Sequence, residues 1–415
     1  MSRFFIFIFF AALCLLLDLY VFQGVQALTT SLQPVMRLAV HYTYWGFTSL
    51  VLGTILVSSL LGLGPQNQFF RRLPLPLFFI NYTAKLFIAF FLLLDDITRG
   101  FRWAFYPANA MPDGTLAGTE IARSILWTKV AMMAGVVPLF IMAYGIINGA
   151  HAYKVRRVKV KLPHLPRTFH RLRIGQISDI HCGSFFDKAA VKRGIDLLRE
   201  EKPDLIFFTG DLVNSTADEV NDYVDIFDQV KAPLGVYSVL GNHDYGDYVD
   251  WPSDEAKKNN LQALCLAHRR LGWHLLRNEH AIIEQEGDRL AVIGVENWGT
   301  GIFSRYGRLD QAYQGTEDVP VKLLLSHDPS HWDAQVRTDY PDIDVTFSGH
   351  THGFQVGVEL ENFKWSPVKY RYKQWAGLYQ EGTQYLYVNR GYGYLGYPGR
   401  IGMWPEITIL ELEKA

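Results

Sequence analysis

The chain has 415 residues, which exceeds a single ordinary domain and predicts at least two domains. Its 40 lysines and arginines nearly balance 41 aspartates and glutamates, so the net charge gives no indication of nucleic-acid binding. The three cysteines, Cys14, Cys182 and Cys265, are too few for a disulfide framework and form no CxxC pair. They fit a reducing compartment and argue against a thiolate zinc site.

Four apolar stretches lie in the N-terminal third of the chain, over residues 4–25, 38–63, 75–94 and 125–147. Each is close to the roughly 20 residues that a helix needs to cross a hydrocarbon core about 30 Å thick. A single stretch could be a buried helix of a soluble protein, but four in succession predict a four-helix transmembrane domain over residues 1–150. The first stretch is alternatively a signal peptide cleaved after Ala27, which would leave three spans.

Basic residues are concentrated on one side of the predicted spans. Arg71 and Arg72 follow the second span, and a cluster follows the fourth: Lys154, Arg156, Arg157, Lys159, Lys161, Arg167, Arg171 and Arg173. The other side has fewer basic residues, mixed with acidic ones: Arg37, Arg99, Arg102 and Arg123 with Asp95, Asp96, Asp113 and Glu120. The positive-inside rule therefore predicts a cytoplasmic C-terminal domain. Residues 151–170 are interpreted as a basic linker and first strand. The basic residues of this segment either contact anionic lipid headgroups or only mark the topology.

Asp18 and Lys85 are ionisable residues inside predicted spans, where a charge is costly and needs a partner. Two interpretations are open: a lipid-headgroup site, or a structural role as an interhelical ion pair or a snorkelling lysine. The structural role is the expectation.

From residue 171 onward, short apolar runs alternate with amphipathic stretches. Strands are predicted over residues 171–178, 204–209, 235–240, 290–295, 321–326, 343–348, 384–389 and 407–412, and helices over residues 188–201 and 254–271. This alternation predicts an α/β domain over residues 171–415, with largely parallel strand pairing in its first half.

Five of the predicted strands end in polar residues that can bind metal ions. The segments are Asp179-Ile180-His181, Gly210-Asp211, Gly241-Asn242-His243-Asp244, Ser326-His327 and Gly349-His350-Thr351-His352-Gly353. The first three are spaced by roughly 30 residues, about one βαβ unit each, so their strand ends lie side by side. Ligand sites of open α/β sheets lie on that edge, and these groups are expected to converge there.

The chemistry of these side chains indicates a metal centre. Carboxylates, imidazoles and a carboxamide, with no thiolate, suit divalent ions such as Mn, Fe or Zn. A carboxylate can bridge two ions about 3.5–4 Å apart, and such a pair can hold a phosphoryl group and activate a water molecule as the nucleophile. A lone histidine would more often be structural, but polar groups after five strands predict a two-metal centre.

The series DIH, GD, GNHD, SH and GHTHG resembles the calcineurin-like metallophosphoesterases over roughly residues 171–412. Membrane helices followed by this domain are similar to the transmembrane group of the family, related to bacterial proteins of the YkuE and YaeI type. The segment from Arg390 to Glu406 is similar to the C-terminal signature of that group. The resemblance implies two packed β-sheets flanked by helices (αββα). Phe354 stands where many relatives have glycine, and we expect it to alter only the rim of the site.

The resemblance also implies ligands for two divalent ions, with manganese expected first and iron or zinc as alternatives. They are Asp179, His181 and His352 for the first ion, Asn242, His327 and His350 for the second, and Asp211 as the bridge.

Other polar residues are expected to act on the substrate. His243 resembles the histidine of the family that protonates the leaving oxygen, and Asp244 is the residue expected to orient it. Arg390 and Arg400 could bind a phosphate bidentately, and structural pairing is the alternative.

The resemblance implies a membrane-bound, metal-dependent hydrolase of a phosphoester or pyrophosphate bond, located in a bacterial inner membrane. A lipid-linked substrate such as UDP-2,3-diacylglucosamine, on which bacterial relatives of this plan act, suits a membrane-embedded enzyme. A soluble phosphodiester, a nucleotide or a phosphoprotein is the alternative substrate. A catalytically silent, membrane-anchored metal-binding module is the alternative of another class. The expected partners are a phosphorylated substrate and the lipid bilayer, without nucleic acid, and no oligomeric state is predicted.

Residues 365–404 are rich in aromatic residues, and glycines interrupt the later part of this segment. Tyrosine and tryptophan favour the lipid headgroup layer. Tyr392, Tyr394 and Tyr397 are therefore predicted to lie on a loop that dips into the interface and admits a lipid-linked phosphate. A packed aromatic sheet face is the alternative.

Overall fold

A computed structural model describes residues 3–61, 67–105, 122–301, 304–361 and 363–415 of the chain. The chain divides into two compact units, Met1–Tyr144 and Gly145–Ala415. Asp113 and Glu120, which entered the topology prediction, lie outside the described residues.

The first unit consists of helices. They are α1 (Arg3–Thr29), α2 (Pro34–Leu60), α3 (Gln68–Arg72), α4 (Pro74–Phe105) and α5 (Ile125–Ile147), and the last turn of α5 belongs to the second unit. Four candidate membrane spans cover Phe9–Thr29, Pro34–Leu60, Pro74–Phe105 and Ile125–His151. Large apolar side chains such as Leu16, Leu60, Leu126 and Phe140 are exposed on these helices, as expected where lipid is the solvent. The prediction of four membrane helices is confirmed.

Asp18 of α1 and Lys85 of α4 form a buried ion pair between the helices. Lys85 also donates to Thr48 Oγ1 of α2 at 2.8 Å, and the Tyr82 hydroxyl donates to Asp18 Oδ2 at 2.8 Å. Each charge is therefore satisfied inside the helix bundle, which offsets the cost of placing it there. The structural interpretation of Asp18 and Lys85 is the one that the geometry favours.

The second unit carries strands and shorter helices. The strands are β1 (Lys154–Leu162), β2 (Arg173–Ile177), β3 (Leu205–Phe208), β4 (Val236–Ser238), β5 (His274–Leu275), β6 (Glu279–Gln285), β7 (Asp288–Gly294), β8 (Lys322–Leu325), β9 (Val345–Ser348), β10 (Val358–Leu360), β11 (Phe363–Trp365), β12 (Gly377–Glu381), β13 (Gln384–Val388) and β14 (Glu406–Lys414). The helices are α6 (Lys188–Glu200), α7 (Val224–Phe227), α8 (Asp254–Arg270), α9 (Leu309–Tyr313) and α10 (Arg337–Asp339). Each strand and helix predicted from the sequence is present, with its ends shifted by a few residues.

Apart from β10 and β11, which pair with each other, the strands form two mixed sheets that pack face to face. Their orders are β1-β14-β2-β3-β4-β5 and β12-β13-β9-β8-β7-β6. Strands β2, β3 and β4 are parallel to one another, and so are β7, β8, β9 and β13. Apolar side chains of both sheets fill the space between them, where the rings of Phe207 and Phe347 lie 4.9 Å apart. Helices α6 and α8 cover the outer face of the first sheet and α9 that of the second, which confirms the αββα architecture.

Strand β1 lies within residues 151–170, which were predicted to hold a basic linker and a first strand. It pairs with β14 along its whole length. Val160 and Leu162 point into the core, while Arg156 pairs with Glu359, and Lys159 with Glu413 at 2.5 Å. The alternation of apolar and basic residues from Val158 to Leu162 is the strand signal of this segment. Because these cations are paired within the unit, the structure argues against their binding lipid headgroups.

Candidate metal centre

The polar groups predicted from the sequence follow strands of both sheets. Asp179 and His181 follow β2, Asp211 follows β3, Asn242 and His243 follow β4, His327 follows β8, and His350 and His352 follow β9. Each of these strands is parallel to its neighbour in this set, so their carboxyl ends share one edge of each sheet. The two sheets pack together, and these two edges meet.

Among the described residues, one group able to hold a metal ion consists of Asp179, His181 and His352. Its potential ligand atoms lie within 4.8 Å of one another. His352 Nε2 lies 3.0 Å from His181 Nε2 and 3.3 Å from Asp179 Oδ1. All three residues are buried.

A second group consists of Asp211, His327 and His350, again with potential ligand atoms within 4.8 Å. The carboxamide oxygen of Asn242 joins this group, at 2.8 Å from His350 Nδ1 and 3.1 Å from His327 Nε2. The members of each group are those that the motif resemblance assigned to one ion. Their role as ligands stays a prediction.

Asp211 belongs to the second group and also faces the first. Its Oδ2 atom is 3.2 Å from His327 Nε2 in the second group and 3.6 Å from His181 Nε2 in the first. Its Oδ1 atom accepts a hydrogen bond from the His243 amide at 2.9 Å. One carboxylate oxygen is thus held by the backbone, and the other faces both groups.

The backbone at the site is strained. Five of the predicted ligands have φ in the left-handed region: Asp179 (52°), His181 (51°), Asp211 (60°), His350 (69°) and His352 (51°). This conformation costs a residue with a side chain roughly 1–2 kcal/mol. Such residues cluster at functional sites, where the surrounding structure holds them in place.

The carboxylates and imidazoles of the site shift each other's pKa values. Burial alone would raise the pKa of Asp211, but the facing His327 and His243 imidazoles hold it well below its usual value. Burial would lower the pKa of His327, but the Asp211 carboxylate outweighs burial and raises it to about 10. Burial lowers the pKa of His181 to about 3 and that of His350 to about 4. Neutral imidazoles with a free lone pair are the form that binds metal ions.

Backbone carbonyls fix the orientation of two imidazoles. His327 Nδ1 lies 2.7 Å from the Thr209 carbonyl, and His243 Nδ1 lies 2.8 Å from the Asn214 carbonyl. A carbonyl oxygen only accepts hydrogen bonds, so each Nδ1 carries a proton. The other nitrogen of the His327 ring, Nε2, lies 3.2 Å from Asp211 Oδ2.

Asp244 does not orient His243 as predicted. Its carboxylate accepts hydrogen bonds from the backbone amides of Asp211 (2.8 Å), Leu212 (2.9 Å), Val213 (3.3 Å) and Gly241 (2.9 Å). It therefore joins the loop after β3 to the loop after β4. The Asn214 carbonyl takes the orienting role, and the adjacency of Asp244 and His243 in sequence was misleading.

Arg390 and Arg400 are corrected from substrate-binding to structural residues. Arg390 is 2% exposed and is paired with Glu406 at 2.6 Å and Glu359 at 2.7 Å. Arg400 is fully buried and donates to the carbonyls of Gly393, at 2.6 Å, and Gly391, at 3.2 Å. These contacts leave neither guanidinium open to a phosphate.

The predicted interfacial tyrosine loop is also corrected. Tyr392 and Tyr394 are 0% and 2% exposed, and Tyr397 is 8% exposed. Tyr392 donates to the Val191 carbonyl, and its ring packs with Phe185 and Phe227 in the core beneath the first sheet. The packed alternative is the correct one for this segment.

Sequence reasoning missed three residues around the site. Tyr372 OH lies 2.8 Å from His350 Nε2, and the buried Asp328 carboxylate lies 3.6 Å from the same nitrogen. Tyr248 OH accepts a hydrogen bond from Asn242 Nδ2 at 2.8 Å, which directs Oδ1 of Asn242 toward the second group. Tyr248 and Tyr372 lie outside the five motifs, and Asp328 directly follows the motif residue His327 without being part of the motif.

Two family models match the chain. The model described as "Probable Calcineurin-like phosphoesterase, transmembrane domain" matches residues 2–150, and the model "Calcineurin-like phosphoesterase" matches residues 172–354. Together they cover most of the chain.

Curated relatives show the same family. The chain is 29% identical over 295 residues to "Transmembrane protein with metallophosphoesterase domain" of Danio rerio, covering 68% of this chain and 63% of the relative. It is 29% identical over 272 residues to the uncharacterized metallophosphoesterase YkuE of Bacillus subtilis, covering 64% and 87%. It is 27% identical over 285 residues to UDP-2,3-diacylglucosamine pyrophosphatase LpxG of Chlamydia trachomatis, covering 58% and 83%.

The match spans less than two thirds of the length of the Danio relative. The matched models, the four apolar helices and the two mixed sheets nevertheless agree. The chain belongs to the transmembrane group of the calcineurin-like metallophosphoesterases.

Proposed function

We propose that this chain is a membrane-bound phosphoesterase that uses two divalent ions to hydrolyse a phosphoester or pyrophosphate bond. The observation that carries the proposal is the position of Asp211, whose Oδ2 atom faces ligand groups on both sides. Asp179, His181 and His352 would hold one ion and Asn242, His327 and His350 the other. Bound ions would polarise the phosphoryl oxygens and lower the pKa of a water molecule that serves as nucleophile.

The donor set supports this metal assignment. Oxygen and imidazole donors without a thiolate suit manganese, which we propose as the first candidate, with iron or zinc as alternatives. The strained loops are held in a ligand-ready form by Asp244 and by the Thr209 carbonyl. A preorganised site of this kind loses little free energy on binding an ion, because the loops are already ordered.

His243 is proposed as the general acid. It is only half-buried, and its ring lies 4.9 Å from that of His181, so it borders the first ligand group. Its Nδ1 proton is held by the Asn214 carbonyl, so a second proton, on Nε2, is the one that the ring would give to the leaving oxygen.

The proposed substrate is lipid-linked. The chain is embedded in a membrane, and the Chlamydia trachomatis relative is named for UDP-2,3-diacylglucosamine, a lipid-linked pyrophosphate. Soluble phosphodiesters, nucleotides and phosphoproteins are the alternatives, and a silent metal-binding module is the alternative of another class. The presence of all seven ligand residues favours an enzyme over a silent module.

We further propose that the second unit lies on the cytoplasmic side of a bacterial inner membrane. The basic residues that follow α5 support this orientation, because the positive-inside rule acts while the chain is inserted. Their ion pairs with Glu359 and Glu413 form only when the unit folds.

Replacing Asp211 by asparagine is expected to release both ions and abolish nearly all turnover, because a neutral carboxamide cannot bridge two cations. Elemental analysis of the purified variant measures ions per chain, and a chromogenic phosphodiester measures turnover. Asp310→Asn, at an exposed aspartate paired with Arg308, is the control and should behave as wild type. Two tightly held ions per chain in Asp211→Asn would show that Asp211 is not the bridge.

His243→Ala is expected to keep the ions and lower turnover by about 10²–10⁴-fold, the usual contribution of a general acid. The loss should shrink for esters with a good leaving group, because these need no protonation. His274→Ala, at an exposed histidine on β5, serves as the control. An equal loss on good and poor leaving groups would rule out the acid role of His243.

A cysteine introduced at the exposed C-terminal residue tests the orientation. In a Cys265→Ser background, the introduced Ala415→Cys is the cysteine available for labelling, because Cys14 and Cys182 are buried. A cytoplasmic second unit predicts that it reacts with a membrane-impermeant maleimide only after the cells are opened. Labelling of the introduced cysteine in intact cells would place the second unit outside the cytoplasm and exclude a cytoplasmic substrate.

A further inference from the structure

Strands β10 and β11 form a two-stranded hairpin apart from both large sheets. Val358 pairs with Trp365, Glu359 with Lys364 and Leu360 with Phe363. Because side chains alternate along a strand, the Glu359–Lys364 pair faces one side and the two apolar pairs face the other. The hairpin therefore has a polar face and an apolar face.

The polar face attaches the hairpin to the rest of the unit. Glu359 pairs with Arg390 at 2.7 Å and also with Arg156 of β1. Lys364 donates to the Ala376 carbonyl, and its ammonium lies over the ring of Trp375. These contacts fix the orientation of the hairpin, with its polar face toward the rest of the unit.

The apolar face is left uncovered. Leu360 is 67% exposed, Phe363 56% and Val358 46%, and Phe354, just before the hairpin, is 57% exposed. Contiguous exposed apolar side chains of this size mark a binding surface rather than ordinary surface composition.

Hydrogen bonds connect the hairpin to the end of the last membrane helix. The Arg400 amide donates to the Gly145 carbonyl in the last turn of α5 at 3.1 Å. Its neighbour Ile401 donates to the Gln355 carbonyl at 2.7 Å and accepts from the Gly357 amide at 2.9 Å. Gly145 lies in a candidate membrane span that ends at His151. The base of the hairpin is therefore two hydrogen-bonded steps from the last turn of α5.

We propose that the apolar face of hairpin β10–β11, formed by Val358, Leu360 and Phe363, inserts into the lipid bilayer. Transfer of these apolar side chains from water into the acyl region of the bilayer is favourable, because it removes apolar surface from water. The exposed Lys369 and Arg371 shortly after the hairpin fit an anionic headgroup layer.

The position of the hairpin also bears on substrate entry. Phe354 follows the predicted ligand His352 by two residues and is exposed, as the apolar residues of the hairpin are. The hairpin would thus give a lipid-linked phosphate a path from the bilayer to the site. This second part rests on the proposed function, whereas the membrane contact does not.

Lipid quenching tests the membrane contact. The full chain, with Phe363→Cys in a Cys265→Ser background, carries an environment-sensitive fluorophore and is placed in nanodiscs of phosphatidylcholine and phosphatidylglycerol containing spin-labelled lipid. The matched control is Ile282→Cys, at an apolar residue that is 38% exposed on strand β6 of the hairpin β6–β7. The proposal predicts quenching at residue 363 and none at residue 282.

Absence of quenching at residue 363, or equal quenching at both positions, would overturn the membrane contact. A fluorophore at residue 363 that is shielded from water but not quenched by lipid would also overturn it, in favour of a protein partner or a second copy of the chain.

Turnover measurements test the proposed path of a lipid-linked phosphate from the bilayer to the site. Leu360→Ser and Phe363→Ser should lower hydrolysis of UDP-2,3-diacylglucosamine in bilayers several-fold and spare a soluble chromogenic phosphodiester, while Ile282→Ser changes neither. Equal loss on both substrates would assign the residues to the structure of the site and overturn the entry path. A wild-type protein inactive on both substrates would contradict the proposed function, and the quenching result would still decide the membrane contact.

Discussion

The buried carboxylate of Asp211 is the constraint on which the site depends. A carboxylate removed from water is costly unless positive charge or hydrogen-bond donors surround it. Asp211 is 1% exposed and meets that need with the His243 amide on one oxygen and two imidazoles on the other. The loops around it are arranged to deliver these donors. A pair of divalent ions would satisfy the same carboxylate more completely than the imidazoles alone.

Glycines allow the remaining loops to approach this centre. A Cβ atom on Gly393 would lie 1.9 Å from the Ile180 carbonyl, and one on Gly241 would lie 2.2 Å from Asp211 Oδ1. Gly393, next to Tyr392, therefore allows its segment to pack closely against the loop that follows β2. The sequence interpretation took the glycines of this segment as the mark of a surface loop, and for that reason misplaced the tyrosine rings. Arg400 completes the same packing by binding the carbonyls of that segment.

The parts of the structure that were predictable are those that local pattern determines. Apolar runs give the four membrane helices and the main strands, and polar residues directly after those runs give the clustered side chains from Asp179 to His352. Long-range pairing was not predictable. The sequence alone does not show that Arg390 meets Glu406, that Asp244 binds amides of another loop, or that the basic segment pairs with β14. The burial of Tyr392 and Tyr394 depends on contacts with distant segments, and the exposure of Phe363 on the lack of such contacts among the described residues.

The central claim is that two ions held around Asp211 perform the hydrolysis. The most direct measurement is elemental analysis of the purified full chain, combined with turnover of a phosphodiester before chelation, after chelation and after manganese is restored. The account predicts two divalent ions per chain, loss of turnover with their removal, and recovery only when both sites are refilled. Full activity in metal-free protein, or maximal activity with a single ion per chain, would contradict it.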